Sequence, residues 1–345
     1  VGISKLRIGL IGVGRISQGH ISALSDRDEV QIVGIADPSE ANVAKTVEQH
    51  AHLAVAKRFA DYRCLLDQLK PDAVVICTPH TQHFAQTMDA LDAGAHALIE
   101  KPMVCRVADA KVLLRRIESS GKVVGLSYQR HVSPQFRYVR DRIASGSVGN
   151  VQFITAVQQQ NWKRRTIGTW RQDPAQSGGG QLNDSGSHLL DVILWATGLA
   201  PDTVSAFIDN RGTQVDINSA LNVRFVGGAM GAFSIVGDAP EIVGDTSEFW
   251  EDITIWCDNG AFFVRNGSEL EVQLNDGSFA PPPSSDMRQA SNIDANFIHA
   301  IQGIEEIAAP PICGLRTIEV TEAAWESGAA GGALTAIVPG GANAQ

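Results

Sequence analysis

No apolar run in this chain of 345 residues reaches the roughly eighteen needed to cross a bilayer as a helix. Nor does any block of Lys or Arg stand along it, and 28 basic against 38 acidic side chains leave a formal net charge of −10 at pH 7. Such a surface has nothing with which to neutralise a phosphate backbone or an anionic membrane over a wide area, so nucleic acid and membranes are excluded as partners. Cysteine is sparse: Cys64, Cys77, Cys105, Cys257 and Cys313 are scattered, odd in number and without a C-x-x-C spacing. That excludes a cysteine zinc site or redox pair of the usual spacing and predicts reduced packing residues. No metal is expected. The N-terminus enters a strand pattern at once, without the charged region and apolar core of a secretory signal, so a cytoplasmic location is the expectation. Internal repeats and coiled-coil heptads are missing as well.

What is present is a chain of 44% hydrophobic and 19% charged residues, long enough for two cores of ordinary size. Over the first 127 residues, short β-branched runs alternate with amphipathic stretches. Leu6 to Ile11, Val30 to Ala36, Ala73 to Cys77, Ala95 to Ile99 and Val123 to Ser127 read as strands, with helices in the gaps. Runs with little alternation fit strands covered on both faces, and strand-helix alternation implies right-handed crossovers and a parallel sheet. The expectation is a doubly wound α/β domain over 1–127.

From about residue 150 the pattern changes to longer alternating stretches. Val151 to Gln160, Val204 to Ile208, Ala220 to Phe225, Gly231 to Ile235, Ile253 to Cys257, Ala261 to Arg265 and Leu270 to Leu274 are separated by Gly, Asn and Asp turns. They predict an α+β domain over 128–345 with a large, mostly antiparallel sheet. Helices are expected around Leu189 to Ala196, Ala295 to Ile307 and Ile318 to Glu326, a loop at Pro281 to Ser285, and a frayed end from Gly340 to Gln345.

The first strand runs into Gly9-Leu10-Ile11-Gly12-Val13-Gly14-Arg15-Ile16-Ser17, which opens a helix. In that context glycines at 12 and 14 permit a tight turn and a close backbone approach to a pyrophosphate, with Arg15 and Ile16 in the first turn. Asp37 ends the second strand about twenty residues on, where a carboxylate accepts bonds from ribose hydroxyls and disfavours a 2′-phosphate. NAD is therefore expected over NADP. The same acid, followed by Pro38 and Ser39, also suits a helix cap. Two further strand ends, Thr78-Pro79-His80-Thr81-Gln82-His83 and Glu100-Lys101-Pro102, belong to the same carboxyl edge and should line the cofactor.

With Tyr128-Gln129-Arg130, the long stretch from Gly178-Gly179-Gly180 through Asp184, His188 and Asp191, and Gly314-Leu315-Arg316 leading into Val320 to Ala324, these pieces resemble the Gfo/Idh/MocA oxidoreductases along nearly the whole chain. The resemblance implies a Rossmann domain, an α+β domain with an open sheet used for oligomer contacts, and an active site between the domains. Two positions depart from the family pattern: Ser17 replaces a common glycine, and His80 stands where Asn is frequent.

Oxidising a secondary alcohol needs a base of near-neutral pKa beside a rigidly held cofactor. His188 suits that task. Asp184 precedes it by four residues, and on a helical turn the two would share a face; Asp191, three residues beyond, is also in reach, so which carboxylate orients the imidazole stays open. The family carry-over gives Lys101 the reacting oxygen to hold. Gln160, Trp162, Trp170 and Arg171 supply amide, indole and guanidinium groups suited to a polyol, and the resemblance adds Tyr128 and Arg130.

The implied activity is an NAD-dependent dehydrogenation of a sugar, cyclic polyol or glycoside by a homodimer or homotetramer. The alternatives are glycoside cleavage through transient C3 oxidation by bound NAD, and a non-catalytic NAD sensor.

Overall fold

A computed structural model describes residues 5–240 and 249–338. The expected frayed end at Gly340 to Gln345 lies outside the described residues. The chain divides into two compact units: the first takes residues up to Val104, Ala108–Gln129 and Ser291–Ile312, the second Cys105–Val107, Arg130–Ala290 and the chain from Cys313 onward.

The first unit carries a parallel sheet of β1 (Leu6–Ile11), β2 (Val30–Ala36), β3 (Lys57–Phe59), β4 (Ala73–Ile76), β5 (His96–Ile99) and β6 (Val124–Leu126). Their order is β3-β2-β1-β4-β5-β6, with every neighbouring pair parallel. β4 is buried at all four positions, as a strand covered on both faces must be. Strand order reverses between β1 and β4, and this switch point opens the ligand crevice of such sheets at the carboxyl ends. The edge strand β3 escaped sequence reading because Lys57-Arg58-Phe59 has neither an apolar run nor a buried residue.

A division at residue 127 also leaves out Ser291–Ile312, which joins the first unit through several bonds. The Leu126 N–H donates to the Ala309 carbonyl at 2.9 Å, closing the chain against β6. The helix expected over Ala295 to Ile307 is Ile293–Ile301. Gly303 at φ 72° turns the backbone out of it, and Asn296 then clamps the returning chain by donating to the Glu306 carbonyl at 2.9 Å and accepting from the Ala308 N–H at 2.8 Å.

The second unit is built on β7 (Val151–Gln160), β8 (Pro201–Asp209), β9 (Asn218–Phe225), β10 (Met230–Val236), β11 (Phe249–Cys257), β12 (Gly260–Arg265), β13 (Glu269–Leu274), β14 (Phe279–Ala280) and β15 (Thr335–Ala336). They lie in the order β14-β13-β12-β11-β7-β10-β9-β8-β15. Only β7 and β10 pair in parallel; the other adjacent pairs are antiparallel. One core, including Ile154, Leu190, Ile193, Phe233, Ile253 and Phe262, joins the sheet to the helix Gly186–Thr197. That helix buries ten of its twelve residues, which explains an apolar pattern running round most of its circumference. The last helix begins at Pro311, well before the expected Ile318, because proline is well suited to a first helical turn. No helix among the described residues is long and apolar enough to cross a membrane, and none of the five cysteines is in a disulfide.

Candidate functional site

At the end of β1 the chain turns through Gly12, whose φ of 83° and whose surroundings both demand glycine: an added Cβ would lie 2.8 Å from the Cys77 carbonyl oxygen and from Thr78. An added Cβ at Gly14 would instead meet nothing within 4 Å, so the backbone there is open to a ligand. The helix Ser17–Ser25 follows with no side-chain cap on its first turn, leaving N–H groups for an anion. Arg15 and Ile16 are exposed on that turn, and the hydroxyl of Ser17, in the third glycine position, donates to the Gly14 carbonyl at 2.8 Å.

Asp37 faces this turn. Its Oδ2 accepts the Val13 N–H at 2.9 Å and its Oδ1 the Ser39 N–H at 2.8 Å, so one carboxylate both braces the glycine loop and starts the next segment. The Asn42 amide, 3.4 Å from both oxygens, completes the set of protein donors around this carboxylate. The turn, the open face at Gly14 and the fixed acid fit a dinucleotide.

The ends of β4 and β5 are tied together by His83, whose Nδ1 lies 2.8 Å from the Pro102 carbonyl oxygen and whose Nε2 lies 3.0 Å from that of Thr78. Burial pushes this imidazole below its usual range in spite of the two carbonyls. Thr78 donates its hydroxyl to Gln86 at 2.6 Å, Pro79 precedes a short helical turn from His80 to Gln82, and His80 is buried with its ring 5.9 Å from that of His83.

Glu100 is buried as well. Burial alone would raise its carboxyl, but the hydrogen bond and charge of His20, with Lys101 and Ser127, outweigh it and bring the group down to about 2. Its Oε2 accepts the backbone N–H of Lys101 at 3.1 Å. Tyr128, just past β6, is among the largest fully buried side chains.

In the second unit Asp184 is the point of convergence. Its Oδ2 accepts the Trp162 indole N–H at 2.9 Å and Arg171 Nε–H at 3.0 Å. The Arg171 guanidinium lies 4.4 Å from the Trp170 ring centroid, a cation–π contact that fixes it. Gln160 accepts from the Gln181 amide at 3.2 Å in the loop leading to Asp184.

The helix begins at Gly186, so Asp184 stands in the preceding turn, where its carbonyl accepts the Ser187 hydroxyl at 2.7 Å. His188 lies in the first helical turn, its N–H bonded to the Ser185 carbonyl at 3.1 Å. Asp191, the other carboxylate in sequence reach, is engaged elsewhere, with Oδ2 2.8 Å from His131 Nε2.

Two acids that sequence reading passed over, Asp216 and Glu251, hold this turn. Asp216 accepts the N–H groups of Gly180 at 2.9 Å and Leu182 at 2.6 Å, with the Trp325 indole at 3.0 Å, although burial keeps its carboxyl above the usual range. The approach is so close that a Cβ at Gly180 would fall 1.9 Å from the Asp216 carbonyl oxygen. Glu251, fully buried, forms a 2.9 Å ion pair with Arg130 and accepts at 3.2 Å from Gln158, whose amide also donates to the Ser185 carbonyl at 3.2 Å. Arg130 NH1 lies 3.5 Å from the His188 carbonyl oxygen. A lone acid between two apolar residues, as in Val215-Asp216-Ile217 just before β9, is the one sequence signal that marks such a residue.

Among the described residues, one buried trio, His131, Asp191 and Cys313, brings ligand atoms within 4.8 Å of one another. Burial raises both the Asp191 carboxyl and the Cys313 thiol toward their protonated forms, and His131 Nε2 lies 2.8 Å from Asp191 Oδ2.

Residues 6–128 match the family described as "Oxidoreductase family, NAD-binding Rossmann fold", and residues 136–262 match the "GFO/IDH/MocA C-terminal domain". The D-glucoside 3-dehydrogenase of Escherichia coli is 26% identical over 196 residues, which cover 56% of this chain and 55% of that protein. The Inositol 2-dehydrogenase of Rhizobium meliloti is 25% identical over 338 residues, 93% of this chain and 96% of that protein. The chain spans little more than half the length of the first curated relatives it matches, 55% and 59%. Among solved structures, the WlbA dehydrogenase from Bordetella pertussis in complex with NADH and UDP-GlcNAcA superposes with a TM-score of 0.82 at 23% identity, over 97% of this chain and 99% of that one. That likeness is one of fold.

Proposed function

Since the chain belongs to the Gfo/Idh/MocA family of oxidoreductases, we propose that it moves a hydride between NAD and a secondary alcohol of a sugar, cyclic polyol or glycoside. Bound NAD supplies the hydride acceptor. In this reading the first unit cradles the dinucleotide with Gly12, Gly14, Arg15, Ile16, Asp37, the Thr78 to His83 segment and Glu100. His188 takes the hydroxyl proton, Lys101 holds the same oxygen and stabilises its developing charge, and Asp184 orients the reacting group.

The observation that carries the reading is the fixing of one Asp184 oxygen by two donors, Trp162 and Arg171, immediately before the helix that bears His188. A carboxylate locked in one direction, rather than swinging in solvent, is what positional catalysis requires. In this arrangement Trp162, Arg171 and Arg130 serve first as supports of the site, and Gln160 and Trp170 complete the substrate pocket, whereas Tyr128, expected to face substrate, is fully buried and packs in the first unit.

Exposed aromatic and aliphatic side chains at Phe207 and Met230, on strands of the nine-stranded sheet, suit a homodimer or homotetramer, which light scattering would test against a monomer. A reducing cytoplasm suits five cysteines that form no disulfide.

The test is the appearance of reduced nicotinamide when the protein and NAD are offered inositols, free sugars and glycosides, with NADP in parallel. Reduced cofactor with a panel member is the expected result. Release of aglycone without net reduction would replace this reading by redox-neutral glycoside cleavage, and NAD binding without turnover of any kind by a sensor.

A further inference from the structure

A buried charged cluster in the first unit touches the site proposed above through Glu100 alone. His20, in the helix that follows the glycine turn, has Nδ1 2.6 Å from Asp294 Oδ1 and Nε2 3.0 Å from Glu100 Oε1. All three side chains are 6–8% exposed. A neutral imidazole donates from one nitrogen only, so between two ionised carboxylates it would turn a bare lone pair toward one of them. The imidazolium donates to both and offsets one of two buried negative charges. Burial opposes that charge, yet the bonds and charges of Asp294 and Glu100 outweigh it and raise His20 to about 10.

The three residues come from distant parts of the chain: a helix after β1, the end of β5, and the helix Ile293–Ile301. What they share is a terminus at one backbone group. Glu100 receives His20 on Oε1 and the Lys101 N–H on Oε2, so its carboxylate relays the position of the helix Ser17–Ser25 to the main chain of the lysine. That helix also carries the open N-terminal turn of the dinucleotide cradle.

We propose that His20 is a positioning residue for Lys101, fixing the lysine main chain through Glu100 to the helix that bears the dinucleotide turn. For its effect on turnover the inference rests on Lys101 being the group that holds the reacting oxygen; its hold on the Lys101 backbone does not depend on that reading. Asp294 keeps the imidazole charged and correctly turned, and thereby ties the segment Ser291–Ile312 into the same relay.

The experiment compares wild type with His20→Gln, which retains at most one of the two bonds, and with Glu100→Gln/Asp294→Asn, which keeps the shape of the trio around a neutral imidazole. Amide hydrogen exchange would be read across the chain, alongside kcat, KM for the alcohol and the Kd for NAD. The expected result is an increase of about tenfold or more in exchange at Lys101 and its neighbours with β1 and β4 still protected. It is accompanied by a fall of about 10- to 100-fold in kcat, while KM and Kd stay within about threefold in His20→Gln, the variant that leaves Glu100 in place.

Unchanged exchange at Lys101 in both variants would overturn the proposal. So would deprotection spread evenly over the sheet with NAD affinity falling in parallel, the signature of a merely structural trio. Full turnover in Lys101→Ala would remove the catalytic reading of the lysine, while the exchange measurement would still decide whether His20 holds it.

Discussion

Trp162 Nε1 and Asp184 Oδ2 lie 2.9 Å apart, and Arg171 Nε reaches the same oxygen at 3.0 Å. The indole and the guanidinium leave the carboxylate one orientation, and the charged donor contributes the larger share. Trp162→Phe keeps the ring and deletes the N–H. It should lower kcat by about 10-fold, equivalent to ~1.4 kcal/mol of transition-state stabilisation, with the melting temperature within a few degrees of wild type. A variant with wild-type kcat would show that Asp184 needs no such support.

Asp37 braces the glycine turn through the Val13 N–H, and it is the residue proposed to meet the ribose hydroxyls. Asp37→Ser should weaken NAD binding by about 10-fold or more, the scale of one lost hydrogen bond to a charged group. It should bring NADP closer to parity by removing the negative charge from the ribose site. Titration of both cofactors by fluorescence checks this; an unchanged preference would contradict it.

Gly180 lies against Asp216, where an added Cβ would sit 1.9 Å from the carbonyl oxygen. No side-chain motion relieves a clash with backbone. Gly180→Ala should therefore displace the turn that carries Asp184 and destabilise the protein by about 3 kcal/mol, at the severe end for a point substitution. A urea midpoint close to wild type would show that the turn yields without cost.

His20 and Glu100 make stability depend on pH in opposite directions. His20, raised from 6.5 to about 10, contributes fully below pH 6.5 and loses its contribution as pH climbs through 10. Glu100, lowered from 4.5 to about 2, contributes fully above pH 4.5 and loses it as pH falls through 2. The pair is strongest between pH 4.5 and 6.5. Above that window stability should decline by up to ~1.4 kcal/mol per pH unit, because the folded state holds a proton that the unfolded chain releases. Melting temperatures measured at pH 6 and pH 9.5 should differ clearly in wild type and much less in His20→Gln.

Much of this architecture was legible in sequence because it follows from burial of regular periods. Leu6 to Ile11, Val30 to Ala36 and Val151 to Gln160 were read to the residue, since each carries an uninterrupted apolar or alternating run bounded by turn residues. β3 was invisible because Lys57 and Arg58 are exposed and only three residues pair. The end of the helix at Ile301 was hidden because the side chain that clamps the following chain, Asn296, lies inside the helix itself.

In the candidate site, glycines and Asp37 were legible from spacing, for they answer to local backbone geometry. Glu251, Asp216, His20 and Asp294 were not, because their partners lie far away in the chain: 121 positions separate Glu251 from Arg130, and 274 separate His20 from Asp294. No local period marks a residue whose role is set by a contact of that range.

The measurement that bears most directly on the central claim is single-turnover reduction of NAD by Lys101→Ala and His188→Ala, with an alcohol that wild type oxidises, alongside NAD affinity. Rates lower by about 100-fold or more with NAD binding kept within threefold are the predicted result, because general-base and electrostatic groups contribute at that scale. Reduction at the wild-type rate in both variants would contradict the assignment of the reacting hydroxyl to these two side chains.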